Sequence, residues 1–284
     1  MRLRRIGFIL LGLMVFQPAW ASALDAVRKD KVLRIAYRTD VPPFSSVANG
    51  EQPSGFSIDL CRMVADRLAK QLGLGSLELV FVPVDAHDRL RTIVEGRADL
   101  ECGSTTVTFS RLEKVDFSAL FYITGTSLMT RAGSPVHAFD DLGGHKVAVT
   151  QGTTTDRVIT ERVRDRKIDA DIVRVADNRT ALTMLLDKKV DAMAGDQATL
   201  LGLGMTSGRH GDLQLTADML SVESLAFPLP RNDADFRLAV NRALSDIYMS
   251  GDVGRTWTKW FAPFGVKPTS LLLELYRLNS FAEQ

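Results

Sequence analysis

A segment of ten residues, 102–111, places a glycine, several hydroxyl side chains and an arginine directly after a predicted strand. Gly103 lets a ligand approach the backbone closely, and the N–H and O–H groups of residues 103–106 can donate to an anion. Arg111 carries a planar guanidinium that binds a carboxylate through two parallel hydrogen bonds. The segment therefore predicts a site for a small carboxylate at a strand end. A polar turn followed by a surface arginine is the alternative interpretation.

Residues 1–23 have the pattern of a signal peptide. Arg2, Arg4 and Arg5 precede an apolar core of 11 residues (6–16), and Ala21 and Ala23 supply the small residues of a cleavage site. The core is too short for a membrane span, which needs about 20 apolar residues. We expect export to the periplasm, and no lipid anchor is indicated because no cysteine directly follows the cleavage site.

The charge balance argues against some partners. The chain has 35 basic and 34 acidic residues, so without the three arginines of residues 1–23 the balance is 32 − 34 = −2. Proteins that bind nucleic acid or an anionic membrane usually carry a basic patch or stripe, so neither is expected here. The remaining length suits one large domain or two lobes, and length alone favours two.

The two cysteines, Cys61 and Cys102, are expected near the same edge of a parallel sheet in an oxidising compartment. A disulfide between them and a pair of buried thiols both remain open. Neither cysteine has a histidine placed beside it by a motif, so a catalytic role is not indicated.

Alternating strands and helices predict an α/β protein. The apolar pattern predicts strands at 32–37, 77–82, 98–102, 145–150 and 172–175, and helices at 58–72, 88–95, 180–187 and 235–249. Such alternation implies right-handed βαβ units and mainly parallel sheets. Near the end of the chain, Trp257, Trp260 and Phe261 are interpreted as packing residues. Residues 266–284 are predicted to wrap the surface or to fray.

Two segments of the chain share one sequence pattern. Residues 92–104 and 184–196 each give an apolar helix end, an acidic residue, a basic residue and then Asp-x-x-x-Gly. The two segments end at Ser104 and Asp196. Ligands of open α/β sheets bind outside the carboxyl ends of the strands. The repeated pattern therefore predicts two similar lobes whose strand ends face one cleft. A chance similarity between two helix–strand units is the alternative.

Several segments in the same order resemble the family 3 periplasmic solute-binding proteins, the polar amino-acid receptors of ABC importers. The matching segments are Pro43-Phe44-Ser45, Gly55-Phe56-Ser57-Ile58-Asp59-Leu60, Asp99-Leu100-Glu101-Cys102-Gly103-Ser104-Thr105-Thr106, Arg111 with Val115-Asp116-Phe117-Ser118, Val149-Thr150-Gln151-Gly152-Thr153-Thr154, Gly195-Asp196 and Lys259-Trp260-Phe261. The resemblance implies a two-lobed periplasmic binding protein fold of type II. It places lobe I at residues 24–122 plus 227–284 and lobe II at 127–218, with hinges near 123–126 and 222–226.

The resemblance also implies how the head group of an amino acid is held. Arg111 corresponds to the arginine that clamps the ligand α-carboxylate, assisted by the N–H groups of Thr106 and Thr154. Asp196 corresponds to the carboxylate that receives the α-ammonium, with the Ser104 hydroxyl beside it. The zwitterion then bridges the two lobes and stabilises their closure.

Arg38 and Arg89 indicate the kind of side chain that is bound. Both are expected to face the cleft beside Arg111, and a second ligand carboxylate would balance the additional positive charge. The resemblance implies a receptor of the glutamate/aspartate branch, although Asn178 stands where those receptors have a histidine. A receptor for glutamine or asparagine is the alternative, and so is an Arg38 or Arg89 that faces solvent or pairs with Asp40, Asp85 or Asp88.

The remaining expectations concern partners and rival functions. No cofactor or metal site is expected, because the four histidines have no metal-ligand spacing and the Gly202-x-Gly204 pair does not open a nucleotide-binding turn. The resemblance implies a monomer that delivers an amino acid to an inner-membrane permease with a cytoplasmic ATPase. A dehydratase-like enzyme or a ligand-binding sensor on the same scaffold are the rivals.

Overall fold

The computed structural model describes residues 22–48 and 52–282, which form two lobes that each contain a sheet. The strands are β1 Val32–Arg38, β2 Asp40–Val41, β3 Ser45–Ser46, β4 Glu78–Val84, β5 Leu100–Glu101, β6 Asp116–Phe117, β7 Tyr122–Thr124, β8 Thr126–Arg131, β9 Lys146–Thr150, β10 Asp171–Val175, β11 Ala192–Asp196, β12 Leu213–Leu215, β13 Glu223–Leu225 and β14 Pro228–Leu229. The helices are α1 Ala23–Asp30, α2 Phe56–Gln71, α3 Arg89–Val94, α4 Phe109–Leu112, α5 Thr154–Asp165, α6 Asn178–Leu186, α7 Gln197–Thr206, α8 Ala234–Met249, α9 Asp252–Trp260 and α10 Ser270–Leu278.

Lobe I is built on a parallel sheet of order β4–β1–β5. Its core joins the buried face of β1 to α2 and α8 and to an aromatic cluster that includes Phe56, Phe121, Phe227 and Trp257. The predicted strand at 98–102 is shorter in the structure, because only Leu100–Glu101 pairs with β1. The ligand-facing segment after β5 thus begins at Cys102.

Lobe II is built on a sheet of order β10–β9–β11–β8–β12. Strands β9, β10 and β11 are parallel, whereas β8 is antiparallel to β11 and to β12. Val147 and Val149 pack with α5 on one face, while Ala148 lies on the opposite face with residues of α6 and α7. Helices on both faces explain the continuous apolar runs of these strands.

The lobes are connected where β7 pairs with β13 in an antiparallel ribbon. Beyond β7 the chain passes Gly125, where an added Cβ would lie 2.0 Å from the Ser221 carbonyl oxygen, so only glycine fits this crossing. The predicted hinges at 123–126 and 222–226 coincide with this ribbon and its exits. Their action as hinges stays a prediction.

The two cysteines form a disulfide, which settles the alternative that the sequence left open. Cys61 of α2 and Cys102 after β5 are bonded, with 6.4 Å between their Cα atoms. The bond ties α2 to the start of the segment 102–111. Both residues are fully buried in the core of lobe I.

The ends of the chain differ from the expectations in one respect. Most of the predicted signal peptide lies outside the described residues, but Ser22 caps α1 and its hydroxyl donates to Asp233. The prediction that residues 266–284 wrap the surface or fray is wrong, because α10 buries Leu272, Leu275 and Tyr276 in lobe I. Leu275 and Tyr276 lie three and four positions after Leu272, which places the three side chains on one helix face.

Within 22–48 and 52–282, no helix has the length and apolar character needed to cross a membrane.

Candidate functional site

A cavity of about 470 Å³, including its mouth, lies between the two lobes. All eight residues that the sequence singled out line it: Arg38, Arg89, Ser104, Thr106 and Arg111 from lobe I, and Thr154, Asn178 and Asp196 from lobe II. The carboxyl ends of β1 and β5 and of β9 and β11 thus open into one space, as expected for ligand sites of α/β sheets. The lining also includes Thr105, Thr150, Thr153, Thr155 and Thr199, which the sequence did not single out.

Arg111 lies on the short helix α4, whose start is capped by the Thr108 hydroxyl. Its Nη1 donates to the Thr106 carbonyl oxygen at 2.7 Å, which fixes the guanidinium beside the segment 102–106. Among the described residues, no carboxylate lies within ion-pair distance of Arg111. Burial lowers the pKa of Arg111, although the nearby Glu223 and Asp196 oppose this shift. The guanidinium stays charged in the neutral range.

Asp196 ends β11 and directly precedes α7. Its Oδ1 is buried and accepts no hydrogen bond from any described residue. Burial and the negative charge of Glu223 raise the pKa of Asp196 to about 8, against the opposing effects of Arg111, Arg89 and Arg38. A buried carboxylate that accepts no hydrogen bond is stabilised by a cation that enters the cavity.

Thr106 and Thr154 meet across the cleft through Glu223, a residue that the sequence analysis missed. Each threonine hydroxyl donates to Glu223 Oε2 at 2.6 Å, and the two Oγ1 atoms are 3.3 Å apart. Thr126 and Ser221 donate to Oε1 at 3.1 and 2.9 Å. Because Glu223 belongs to β13, this carboxylate joins both lobes and the connecting ribbon. A charged residue in a predicted hinge strand was the available signal.

Thr154 is also the first residue of α5. Its N–H is one of the groups at a helix start that lack an intrahelical acceptor, and the helix dipole favours an anion there. Because the hydroxyl of Thr154 is engaged with Glu223, the main-chain N–H is the group that it can offer to an anion.

Arg89, the first residue of α3, is buried with 4% of its surface exposed. Its Nε donates to the Thr105 hydroxyl at 2.8 Å and its Nη1 donates to the Ala86 carbonyl oxygen. No carboxylate of the described chain lies within ion-pair distance of it. Burial, together with the positive charges of Arg111 and Arg38, lowers the pKa of Arg89 to about 9, so the side chain remains charged near neutral pH.

Arg38 has a different environment, because it is paired within the protein. Its Nε and Nη2 donate to Asp40 Oδ1 and Oδ2 at 2.9 and 2.8 Å. The alternative that Arg38 pairs with Asp40 is therefore realised, although Arg38 also lines the cavity. Asn178 of lobe II donates to Asp40 Oδ2 from its main-chain N and from Nδ2, at 2.9 and 3.1 Å. Thr150 also donates to Asn178 Oδ1 at 2.9 Å.

Glu101 is a further buried carboxyl group near the arginines. Neither of its carboxyl oxygens has a hydrogen-bond partner among the described residues, and the side chain is fully buried. Burial raises the pKa of Glu101, although Arg89, the Thr105 hydroxyl and Arg38 oppose this shift. Glu101 and Arg89 thus interact electrostatically inside lobe I, although no hydrogen bond joins them.

The lobes touch each other around the cavity. Arg179 of α6 donates to the carbonyl oxygens of Thr39 and Val47 at 2.7 and 2.5 Å. Gly202 of α7 lies so close to lobe I that an added Cβ would be 2.4 Å from the Pro42 carbonyl oxygen. The lobes are therefore in a closed arrangement.

The family model described as bacterial extracellular solute-binding proteins, family 3, matches residues 33–263. The chain belongs to this family. The match spans both lobes and every residue of the cavity, so the resemblance suggested by the sequence motifs is confirmed.

Two relatives indicate the part of the family to which the chain is similar. An L-glutamate/L-aspartate-binding protein of Pseudomonas aeruginosa is 29% identical over 253 residues, which are 89% of this chain and 84% of the relative. A glutamate/aspartate import solute-binding protein of Salmonella typhimurium is 27% identical over 259 residues, which are 91% of this chain and 86% of the relative. Both relatives are binding proteins.

Among solved structures, this fold is similar to an ancestral amino acid-binding protein described as a precursor of cyclohexadienyl dehydratase. The TM-score is 0.74 at 27% identity, and the match covers 84% of this chain and 100% of the other. The two-lobed fold of type II expected from the sequence is thus confirmed.

Proposed function

We propose that this protein is the periplasmic receptor of an amino-acid ABC importer and that it binds an acidic L-amino acid by closure of its lobes. Membership of the solute-binding family and the two relatives named for glutamate and aspartate support the proposal. The partners are then an inner-membrane permease with its ATPase, and the receptor acts in the periplasm as a monomer.

One observation carries the assignment of the ligand class. Two guanidiniums without a carboxylate partner, Arg89 and Arg111, and one carboxylate without a hydrogen-bond donor, Asp196, border the same cavity. A glutamate or aspartate zwitterion has the complementary set of groups, with two carboxylates and one ammonium. Buried charges are stable in proteins when they are paired.

The pairing of groups follows from their positions. Arg111 and the N–H groups of Thr106 and Thr154 take the α-carboxylate, because they lie together at the segment 102–106 and the start of α5. Asp196 takes the α-ammonium, assisted by the Ser104 hydroxyl. Arg89 takes the side-chain carboxylate. Lobe I thus supplies both arginines and lobe II supplies the acid, so one ligand links the lobes.

A receptor for a neutral polar amino acid is the second candidate, and the Arg38–Asp40 pair favours it. Since Asp40 neutralises Arg38, the pocket has less positive charge for a ligand side chain than a count of three arginines suggests. A glutamine or asparagine side chain would then pair with Arg89 through its carbonyl oxygen alone.

The test is a calorimetric titration of the mature protein, first freed of co-purified ligand by unfolding and refolding. Glutamate, aspartate, glutamine and asparagine are compared. We expect glutamate or aspartate to bind at least about tenfold more tightly than its amide, which corresponds to about 1.4 kcal/mol. Preference for an amide would retain the receptor and reject the acidic ligand, whereas no binding of any amino acid would reject the receptor itself.

The variant Arg111→Ala tests the assignment of the head group. We expect it to weaken every amino acid that binds, because removal of one partner of a buried charged pair costs about 3–5 kcal/mol. Arg91→Ala is the control, since this arginine lies near the same lobe edge but has a side chain that is 64% exposed. Unchanged binding by Arg111→Ala would contradict the assignment.

A further inference from the structure

The ion pair of Arg38 with Asp40 occupies a position between the ligand cavity and the outer surface. Arg38 lines the cavity, and both Arg38 and Asp40 line a neighbouring outer groove together with Asp177 and Arg179. The side chains of Arg38 and Asp40 are 5% and 4% exposed. Asp40 thus borders the outer groove but not the cavity, and it pairs with Arg38 from outside the cavity lining.

The geometry of this pair is the one that a ligand carboxylate adopts on an arginine. Two parallel N–H···O bonds, of 2.9 and 2.8 Å, join the guanidinium to both oxygens of Asp40. The charge of Arg38 is therefore compensated inside the protein. Arg89, in contrast, donates only to a threonine hydroxyl and to a carbonyl oxygen. Of these two arginines, Arg89 is the one that has no ion-pair partner among the described residues.

Asp40 is also connected to the other lobe. Asn178 donates to its carboxylate through both main-chain N and Nδ2, and Nδ2 is also 3.3 Å from the Asp40 carbonyl oxygen. These bonds hold the carboxylate on Arg38 whenever the lobes are closed, which is the state that encloses a ligand. In the closed arrangement, the carboxylate that pairs with Arg38 is thus also held by lobe II.

We propose that Asp40 is a specificity-determining residue that withdraws Arg38 from the ligand and so limits the preference for an acidic amino acid over its amide. The inference rests on the proposed function, because it concerns the side-chain end of the same cavity. Arg89 then carries the discrimination between a carboxylate and a carboxamide, while Arg38 and Asn178 form the wall beside it.

The variant Asp40→Asn tests the inference, because it is expected to increase the preference for glutamate over glutamine rather than to abolish binding. The carboxamide keeps the shape and an acceptor for Asn178, but it removes the charge that neutralises Arg38. We expect the ratio of glutamate to glutamine affinity to rise at least about tenfold, since Asp40 then no longer neutralises Arg38 and the guanidinium favours a ligand carboxylate. The ratio is the informative quantity, because any weakening of lobe closure affects both ligands equally.

A double variant completes a double-mutant cycle of Arg38 and Asp40. In Arg38→Gln/Asp40→Asn both charges are absent, so the affinity ratio is expected to return to about the wild-type value. Asp40→Ser is the second single variant in case the carboxamide impairs folding, which circular dichroism would reveal.

The outcomes distinguish the two proposals. If wild-type protein binds amino acids but the ratio is the same in Asp40→Asn and Asp40→Ser, Asp40 does not determine specificity and the receptor proposal stands. A ratio that rises in the double variant as much as in the single ones would also overturn the inference, because Arg38 would then not be its cause. If the wild-type protein binds no amino acid, the proposed function fails, and this inference fails with it.

Discussion

At the scale of single residues, the compensation of each charge matters more than the number of charges. Arg38, Arg89 and Arg111 all border the cavity, but Arg38 is already paired with Asp40. Glu101 and Glu223 add two buried carboxyl groups that the count of arginines did not include. Arg111 is assigned to the α-carboxylate, which every amino acid has, so the acidic-ligand proposal depends mainly on Arg89.

Asp196 provides a prediction about protons. Its pKa of about 8 means that the unliganded protein holds a proton on this carboxyl at neutral pH. A ligand ammonium favours the ionised form, so binding below pH 8 is expected to release up to about one proton. Calorimetric heats of binding at about pH 6.5 should therefore differ between phosphate and Tris buffers in proportion to their ionisation enthalpies. The difference should shrink above pH 8.

The same shift has a consequence for the free energy of unfolding. The folded-state pKa lies above the ordinary value of about 4, so between pH 4 and about 8 the folded ligand-free protein binds more protons than the unfolded chain. Its stability should fall as the pH rises through this window, and Asp196→Asn should remove that part of the slope. Heats that do not depend on the buffer, with an unchanged slope in the variant, would contradict the assignment.

At the scale of elements, α7 limits how closely the lobes approach. Gly202 stands where α7 of lobe II meets the Pro42–Pro43 peptide of lobe I, and a Cβ there would lie 2.4 Å from a carbonyl oxygen and 2.7 Å from the Pro43 nitrogen. Backbone atoms cannot move aside as a flexible side chain can. Gly202, which has no nucleotide-binding context, thus has a packing role in closure.

Gly202→Ala is expected to weaken binding of all amino acids more than about tenfold, because the closed state that encloses the ligand is obstructed. The stability of the ligand-free protein should not fall, since alanine favours a helix by about 1 kcal/mol relative to glycine. Calorimetry and thermal unfolding measure the two effects.

Gly204→Ala is the matched control on the same helix. An added Cβ there meets the end of the Met129 side chain at 3.1 Å within lobe II, so binding is expected to be unchanged. Equal losses of affinity in both variants would show that α7 itself was damaged, and unchanged binding in Gly202→Ala would reject the role in closure.

At the scale of the whole molecule, lobe I is the larger packed body and carries the covalent link. Its core includes the aromatic cluster, α8, α9 and α10, so residues from the beginning and the end of the chain share one interior. The disulfide joins residues that are 41 positions apart within this lobe. It fixes α2 against the end of β5, from which the segment 102–111 departs.

The double variant Cys61→Ser/Cys102→Ser is expected to lower the free energy of unfolding by about 4 kcal/mol, from the lost restriction of the unfolded chain. Chemical unfolding measures the change. Affinity for the amino acid should remain within a few-fold at temperatures where lobe I is folded, because neither sulfur lines the cavity. An unfolding midpoint equal to that of the oxidised wild-type protein would contradict this prediction.

Local patterns in the sequence indicated an α/β protein with two similar lobes, and the resemblance to a family added the eight predicted site residues, all of which line the cavity. Strand and helix periodicity indicates which faces are buried, and the polar residues at strand ends mark the edge where parallel sheets bind ligands. The C-terminal helix was missed although Leu272, Leu275 and Tyr276 have helical spacing. There the signal was present in the sequence, and the error was one of interpretation.

Only the tertiary structure decided how the charges are paired. Asp40 is two residues from Arg38 and pairs with it, and the same carboxylate accepts hydrogen bonds from Asn178, which is 138 residues away. Glu223 similarly gains its role because Thr106 and Thr154 converge on it from different lobes. Residue types and spacing determine which charges a cavity contains. Ion pairing and burial depend on distances of a few ångströms between distant segments, and these distances exist only once the lobes have folded and closed.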